Sequence, residues 1–332
     1  MSKAVRVGVL GAGRFANNQH LPNLSRIDDV EIVAICDVDK AAARQTAATF
    51  GIPEIYTDGH AMLEGVGMDA LWSIVPAFAR TDVEATAAAR GIHIFSEKPQ
   101  ALEMAVARRL DEAIRQAGVF GTVCFRERYR PIFIEARRLL EGREVTHIRF
   151  QSIRGLPETR ELDRWDGVFE KGGSAFFDWG PHAIDYSRYV SGLDVKTAQA
   201  FFAHPAQYRA PTSASFNFQM SNGGTMTMNF VCTTPSQPPE EPYFLFCYEG
   251  GYLGVHNYAR IDVNGETVFK GEDYNPWFEL DRRFCEAVRS GDDSNMLNDY
   301  HDGLYSLAPV LAGWESQRRG GVPIDVEEFM MA

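Results

Sequence analysis

Five short apolar runs, at 5–10, 30–36, 69–75, 92–95 and 119–123, punctuate the first third of the chain. Between them lie segments near 14–25, 39–49, 80–89 and 101–117 whose apolar positions recur at helical spacing. Strand-length runs alternating with helical patterns predict a parallel sheet covered on both faces, here over residues 1–122. The pattern changes from residue 123 onward. A helix near 131–141 and a strand near 145–154 lead to Gly172-Gly173, and another helix reaches Val190. Residues 215–220 and 225–230 then alternate strictly between apolar and polar. Such alternation buries one face and leaves the other polar, as in an antiparallel sheet packed on helices. Helices near 276–289 and 299–318 close a second α/β domain over 123–332, and Pro235 to Pro242 reads as a loop between strands.

Composition narrows the function classes. The 332 residues are 45% hydrophobic and 23% charged, with a net charge of -12 from 33 basic and 45 acidic side chains. That balance argues against nucleic acid or an anionic membrane as the main partner. The densest basic stretch, Arg126-Glu127-Arg128-Tyr129-Arg130, is short and interrupted by an acid. Five cysteines (Cys36, Cys124, Cys232, Cys247, Cys285) form no C-x-x-C pair and read as reduced core residues of a cytoplasmic protein. No apolar run reaches membrane-spanning length, and the first strand begins without a signal-peptide profile.

Candidate chemistry begins where the first strand ends. Gly11-Ala12-Gly13-Arg14-Phe15-Ala16 follows it at once and matches the dinucleotide fingerprint G-x-G-x-x-G/A. The first glycine permits a tight turn, the second lets backbone approach a pyrophosphate, and small Ala16 lets the next helix pack closely. The second strand ends in Asp37, about 20 residues further on, where a carboxylate accepts the adenosine ribose hydroxyls and repels a 2′-phosphate. Lys40 and Arg44 partly offset that charge, and NAD is favoured over NADP. The first domain is therefore of the Rossmann type.

Two further stretches carry reactive groups. Glu97-Lys98-Pro99 follows the fourth apolar run, so Lys98 sits at the carboxyl end of a strand, the edge where such sheets bind ligands. Pro99 fixes the local backbone and suits a cis peptide before it. In the second domain, Asp178, His182 and Asp185 fall at helical spacings i, i+4 and i+7. Either a helix starts at Pro181 or the proline interrupts a longer one, and both arrangements keep Asp178 near His182. The pair reads as a histidine base with a carboxylate neighbour, or as a helix cap beside a packing histidine. Two acids and one histidine are too few ligands for a closed zinc site, and no metal is expected.

Taken in order, Gly11-x-Gly13-x-x-Ala16, His20-Leu21-Pro22, Glu97-Lys98-Pro99, Arg128-Tyr129 and Gly172-Gly173 through Asp178, His182 and Asp185 resemble the Gfo/Idh/MocA oxidoreductase family over most of the chain. The resemblance implies an amino-terminal Rossmann domain and a carboxy-terminal α/β domain with a large, open, mainly antiparallel sheet that assembles dimers or tetramers. It implies hydride transfer between a nicotinamide cofactor and a hydroxyl or ketone of a sugar, cyclitol or related polyol. Lys98 corresponds to the active-site lysine, Asp178 and His182 to the acid–base pair, and Asp37 to the ribose-binding acid. Gly11, Gly13, Arg14, Phe15, Ala16, Asp37, Pro76, Glu97 and Lys98 form the cofactor set. Lys98, Arg126, Tyr129, Trp165, Asp178 and His182 form the substrate set, with Trp179 a further aromatic and Trp165 in a polar lid-like loop, 158–171. Arg80 and Arg126 depart from the commonest residues of the family and bear on the substrate. A redox-neutral elimination or epimerisation with tightly held NAD, or a silent NAD-binding regulator, are the other functions this reading allows.

Overall fold

The fold was determined as a computed structural model, which describes residues 4–153, 168–172, 174–233 and 243–332. The chain forms two compact units. The first contains residues 1–129 and 275–303, and the second residues 130–274 and 304–332.

Among the described residues, the first unit carries a six-stranded sheet of β1 (Val5–Leu10), β2 (Val30–Cys36), β3 (Glu54–Tyr56), β4 (Ala70–Ser73), β5 (His93–Ser96) and β6 (Gly121–Val123). Its order is β3-β2-β1-β4-β5-β6, with every neighbouring pair parallel. This is the doubly wound nucleotide-binding order, whose switch point lies between β1 and β4. The helices of this unit begin with α1 (Leu21–Leu24), α2 (Lys40–Phe50), α3 (Gly59–Gly65), α4 (Val83–Ala89) and α5 (Met104–Ala117). A five-residue π-helical turn, Ala16–His20, precedes α1. Pro22 has no N–H to return to the carbonyl four residues back, which favours that wider turn over the regular helix expected across 14–25. Strand β3 and helix α3 escaped the sequence reading, because β3 spans three residues and buries none of them fully.

Among the described residues, the second unit is built on α6 (Pro131–Leu140) and a nine-stranded sheet. That sheet contains β7 (Val145–Ile153), β8 (Val195–Ala203), β9 (Ser213–Met220), β10 (Thr225–Val231), β11 (Phe244–Tyr248), β12 (Gly251–His256), β13 (Arg260–Val263), β14 (Glu266–Lys270) and β15 (Ile324–Asp325). The order is β14-β13-β12-β11-β7-β10-β9-β8-β15, antiparallel apart from the β7–β10 pair. Along β9 and β10, Phe216, Phe218, Met226 and Met228 are buried. Their neighbours Ser215, Asn217, Gln219, Thr227 and Asn229 line the other face. Helix α7 (Ala175–Ser191) starts at Ser174, whose hydroxyl accepts from Phe177 N at 3.2 Å, and Pro181 lies inside it. Of the two arrangements open from the sequence, the longer helix is therefore the one formed.

The single boundary expected between residues 122 and 123 is corrected by α8 (Pro276–Ser290). This helix starts at Pro276, far past that boundary, yet its Leu280, Phe284 and Cys285 join the core of the first unit with Trp72 and Phe95. Phe284 meets both rings edge-on at 5.3 and 5.6 Å. The remaining helices are α9 (Tyr300–Arg318), which leads from one unit into the other, and α10 (Val326–Met331).

A charged contact fixes α8 in place. Asp281, on its apolar face, is fully buried and accepts from His20 Nδ1 at 2.8 Å, Trp72 Nε1 at 3.0 Å and Asn23 Nδ2 at 2.9 Å. The other nitrogen of His20 lies 3.0 Å from Glu97 Oε1. Burial opposes a charge on His20, but the Asp281 carboxylate, with hydrogen bonds to Asp281, Cys124 and Glu97, outweighs it and holds the imidazole well above its ordinary pKa of 6.5. Burial likewise opposes the charge on Glu97, and the hydrogen bond and ion pair with His20, aided by Lys98, keep its carboxyl below the ordinary range. His20 is thus an imidazolium between two carboxylates. Its ring, Glu97 and Cys124 converge within 4.8 Å. However, burial and the Glu97 charge push the Cys124 thiol up to about 12, so the sulfur keeps its proton and the group acts as an ion-pair network.

Removing one partner of a buried ion pair strands the other charge, and His20→Ala should cost about 3–5 kcal/mol of stability at pH 6. Because the folded pKa of His20 is raised, its contribution is complete below about 6.5 and is lost as pH rises through the folded value. The depressed Glu97 contributes fully above about 4.3 and loses this as pH falls. Thermal unfolding of both proteins should therefore show the widest gap near pH 5–6, narrowing in alkali; a gap constant from pH 6 to 9 would show that His20 is neutral in the fold.

Candidate functional site: a dinucleotide cradle and two reactive side chains

The cradle lies at the carboxyl end of β1. Gly11 has a φ of 105°, and a Cβ there would sit 2.4 Å from the carbonyl oxygen of Ile74, so the turn admits only glycine. At Gly13 an added Cβ would meet nothing within 4 Å, which leaves the backbone open to a ligand approaching from that side. The loop is tied down from two directions. Asp37 Oδ2 accepts from Ala12 N at 2.7 Å, while Oδ1 accepts from Asp39 N at 2.8 Å. Asn17 Nδ2 donates to the carbonyls of Ala12 and Gly13 at 2.8 and 3.0 Å. Asn17 was absent from the sequence-derived set; its signal was a side-chain amide one helical turn past the second glycine. Arg14 and Phe15 are exposed beside the loop, and Ala16 is fully buried against the sheet, as the small residue required.

These features fit a dinucleotide. The glycine backbone gives access to a pyrophosphate, and each Asp37 oxygen accepts one backbone N–H while retaining a further lone pair for a ribose hydroxyl. Pro76, which follows β4, precedes the 3-10 turn Ala77–Ala79 and accepts from Ala79 N at 2.9 Å.

Lys98 follows β5 and is half-buried, as its place at a strand's carboxyl end required. Its peptide to Pro99 is cis. Its own N–H donates to Glu97 Oε2 at 3.0 Å, so the carboxylate that meets His20 through one oxygen holds the Lys98 backbone through the other.

In the second unit α7 carries Asp178 and His182 on successive turns, Asp178 exposed and His182 99% buried. The hydroxyl of Tyr186 lies 2.6 Å from His182 Nδ1, with the two rings stacked at 5.3 Å. Tyr186 was missed, although its i+4 spacing from His182 on a helix marks it as a neighbour. Trp179 packs on the imidazole at 5.3 Å and on Tyr243 at 6.0 Å. Gly180 permits close helix packing, since a Cβ there would lie 3.0 Å from Val310. Asp185 is fully buried and accepts from Ser306 Oγ at 3.0 Å, a structural contact.

Two members of the substrate set have other employment in the first unit. Tyr129 is buried, and its oxygen accepts from Leu297 N at 2.9 Å and lies 3.5 Å from Asn298 Oδ1. Its hydroxyl is engaged in joining residues 129 and 297–298. Arg126 is buried, lies 3.2 Å from Glu127 Oε1 and stacks over the Trp277 ring at 4.0 Å. Trp165 lies outside the described residues, as does most of the polar loop expected to act as a lid.

Comparison with known proteins agrees with the geometry. Residues 5–125 match the oxidoreductase family described by its NAD-binding Rossmann fold, and residues 133–253 match the GFO/IDH/MocA C-terminal domain. The chain is 30% identical to a D-apiose dehydrogenase of Paraburkholderia graminis, covering 96% of this chain and 89% of that one. It is 28% identical to a scyllo-inositol 2-dehydrogenase (NAD(+)) of Bacillus subtilis, over 98% of both chains. A crystal structure of scyllo-inositol dehydrogenase from Lactobacillus casei, with bound NAD(H) and scyllo-inositol, shares the fold with a TM-score of 0.80 at 18% identity, covering 98% of this chain and all of that one. The glycine cradle, the anchored Asp37 and matches that run through both units give one conclusion: the chain belongs to the Gfo/Idh/MocA family and is an NAD-binding oxidoreductase.

Proposed function

We propose that this oxidoreductase is a dehydrogenase that oxidises a secondary hydroxyl of a sugar, cyclitol or related polyol. The observation that carries the reading is His182, buried on α7 with Nδ1 bonded to Tyr186 and an aromatic ring on its flank. With Nδ1–H donating to the Tyr186 oxygen, Nε2 presents the lone pair that takes the substrate's hydroxyl proton. Imidazole suits this exchange, since its ordinary pKa of about 6.5 lies near working pH. Asp178, one turn earlier, favours the imidazolium that results. Lys98 donates from Nζ to the reacting oxygen and stabilises the negative charge that develops there. NAD, when bound, supplies the hydride acceptor. Asp37 and the Gly11–Gly13 backbone hold its ribose and pyrophosphate.

The same reading includes self-assembly and a cytoplasmic location. The polar face of β9 and β10 is largely exposed, and Phe201 beside it on β8 is 52% exposed, a combination suited to burial against a second copy as a homodimer or homotetramer. Cys36, Cys124 and Cys285 are buried thiols, which suits a reducing compartment.

Three outcomes are expected. NAD should bind more tightly than NADP, and Asp37→Ala should narrow the difference while weakening NAD itself about 10-fold or more, because the Ala12 bond goes with the carboxylate. Equilibrium titration with both nucleotides checks this, and equal affinity of the unmodified protein for the two would refute it. With a polyol found by screening for NADH formation, His182→Ala and Lys98→Ala should keep NAD affinity within a few-fold and lose about 10²-fold or more in kcat. Tyr186→Phe should lose less and shift the pH profile; near-normal turnover by His182→Ala would remove that residue from the role of base. Light scattering at micromolar concentration should give a dimer or tetramer mass, and a monomer mass would exclude the assembly.

A further inference from the structure

Arg80 follows the turn after β4 and is buried, its side chain only 2% exposed. Its guanidinium is shared among four acceptors. Nη1 donates to Ser73 Oγ at 3.0 Å and to Glu84 Oε1 at 3.1 Å, and Ser73 Oγ in turn donates to Glu84 at 2.7 Å. Nη2 donates to the backbone carbonyl of Glu97, and Nε to that of Pro99 at 3.3 Å. The two carbonyls flank Lys98, whose own N–H is held by Glu97 Oε2. The Lys98 N–H, the carbonyl before it and the Pro99 carbonyl after it are therefore each held by a charged side chain. The strand end behind it is also pinned, with Glu97 N donating to Ser73 O at 2.9 Å.

The chemistry of arginine matters here. A planar guanidinium presents five N–H donors in a rigid fork. A lysine has a single nitrogen and cannot span two carbonyls while also reaching Ser73 and Glu84. Glu84, with a side chain also only 2% exposed, neutralises the guanidinium, so the clamp brings no net charge into the fold beside the Lys98 ammonium.

We infer that Arg80 is the positioning residue for Lys98, its guanidinium bridging the carbonyls on either side of that residue and so fixing where Nζ is presented. The inference rests on the role proposed for Lys98, and its test separates the two. In the full chain, Arg80→Lys and Arg80→Gln should bind NAD within about threefold of the unmodified protein. With a polyol substrate their kcat should fall about 10–100-fold with KM little changed, the scale expected when a reacting group is misplaced by about 1 Å. Hydrogen–deuterium exchange, which needs no substrate, should rise in the segment 93–101 and stay unchanged in α2 and α5. Guanidinium chloride at tens of millimolar should restore part of the lost turnover in Arg80→Ala, and sodium chloride should not. Glu84→Gln, which keeps an acceptor for Arg80 and removes the charge, is the milder variant should the Arg80 proteins fold poorly, and it should loosen the same segment. Unchanged exchange in 93–101, or exchange raised throughout the first unit, overturns the positioning role. Locally raised exchange in a protein that oxidises no polyol in its unmodified form upholds the positioning and overturns the dehydrogenase reading.

Discussion

A buried imidazolium sits at the centre of the first unit. His20 bonds Asp281 through Nδ1 and Glu97 through Nε2. Each contact explains a different part of the structure. Through Asp281 the charge fastens α8 to Trp72 and Asn23, which secures a helix supplied from far along the chain. Through Glu97 it reaches the backbone of Lys98. The two carboxylates are tolerable in a core only because the ring between them is charged, and the ring is charged only because they are there. A hydrophobic triad of similar volume would pack as well; it would not orient the residue that follows Glu97.

Arg80 approaches the same segment with another charge balanced by another carboxylate, Glu84. Lys98 is thus set by backbone contacts on both sides, made by two buried ion-pair groups. A long flexible side chain is useful at a reacting oxygen only if its root does not move. In the second unit, His182 is immobilised by different means. Burial, the Tyr186 hydroxyl and stacked rings hold it, on a helix brought close to Val310 by Gly180.

Local signals were the legible ones. The glycine fingerprint, Asp37 and Lys98 were readable because a strand, a turn and the residue that follows are contiguous in sequence. Helix positions came from spacing, and the outlines of β9, β10, α8 and α9 agreed closely with expectation. Membership was not legible. The apolar face of α8 fits any sheet equally, and the one mark of its true partner was Asp281, a charge amid Leu280, Phe284 and Cys285 that requires an opposite charge elsewhere. The partner of the Tyr129 hydroxyl was not legible for a related reason, because sequence does not show which way a phenol points, and here it points at Leu297 N. Tyr186 was overlooked although its spacing was plain, since a tyrosine among Phe176, Phe177 and Tyr189 looks like core packing.

The return of residues 275–303 to the first unit also sets an order of events during synthesis. Ribosomes deliver the chain from the amino terminus at about 5–20 residues per second, and domains generally fold as units. The nucleotide-binding unit begins first but lacks Asp281, Phe284 and the rest of α8 until Ser290 has emerged. Until then His20 and Glu97 face each other without their third partner, and the apolar surface around Trp72 and Phe95 stays uncovered. The unit that begins first therefore waits while residues 130–274 of the other unit are made, an interval of roughly 7–30 s at those rates.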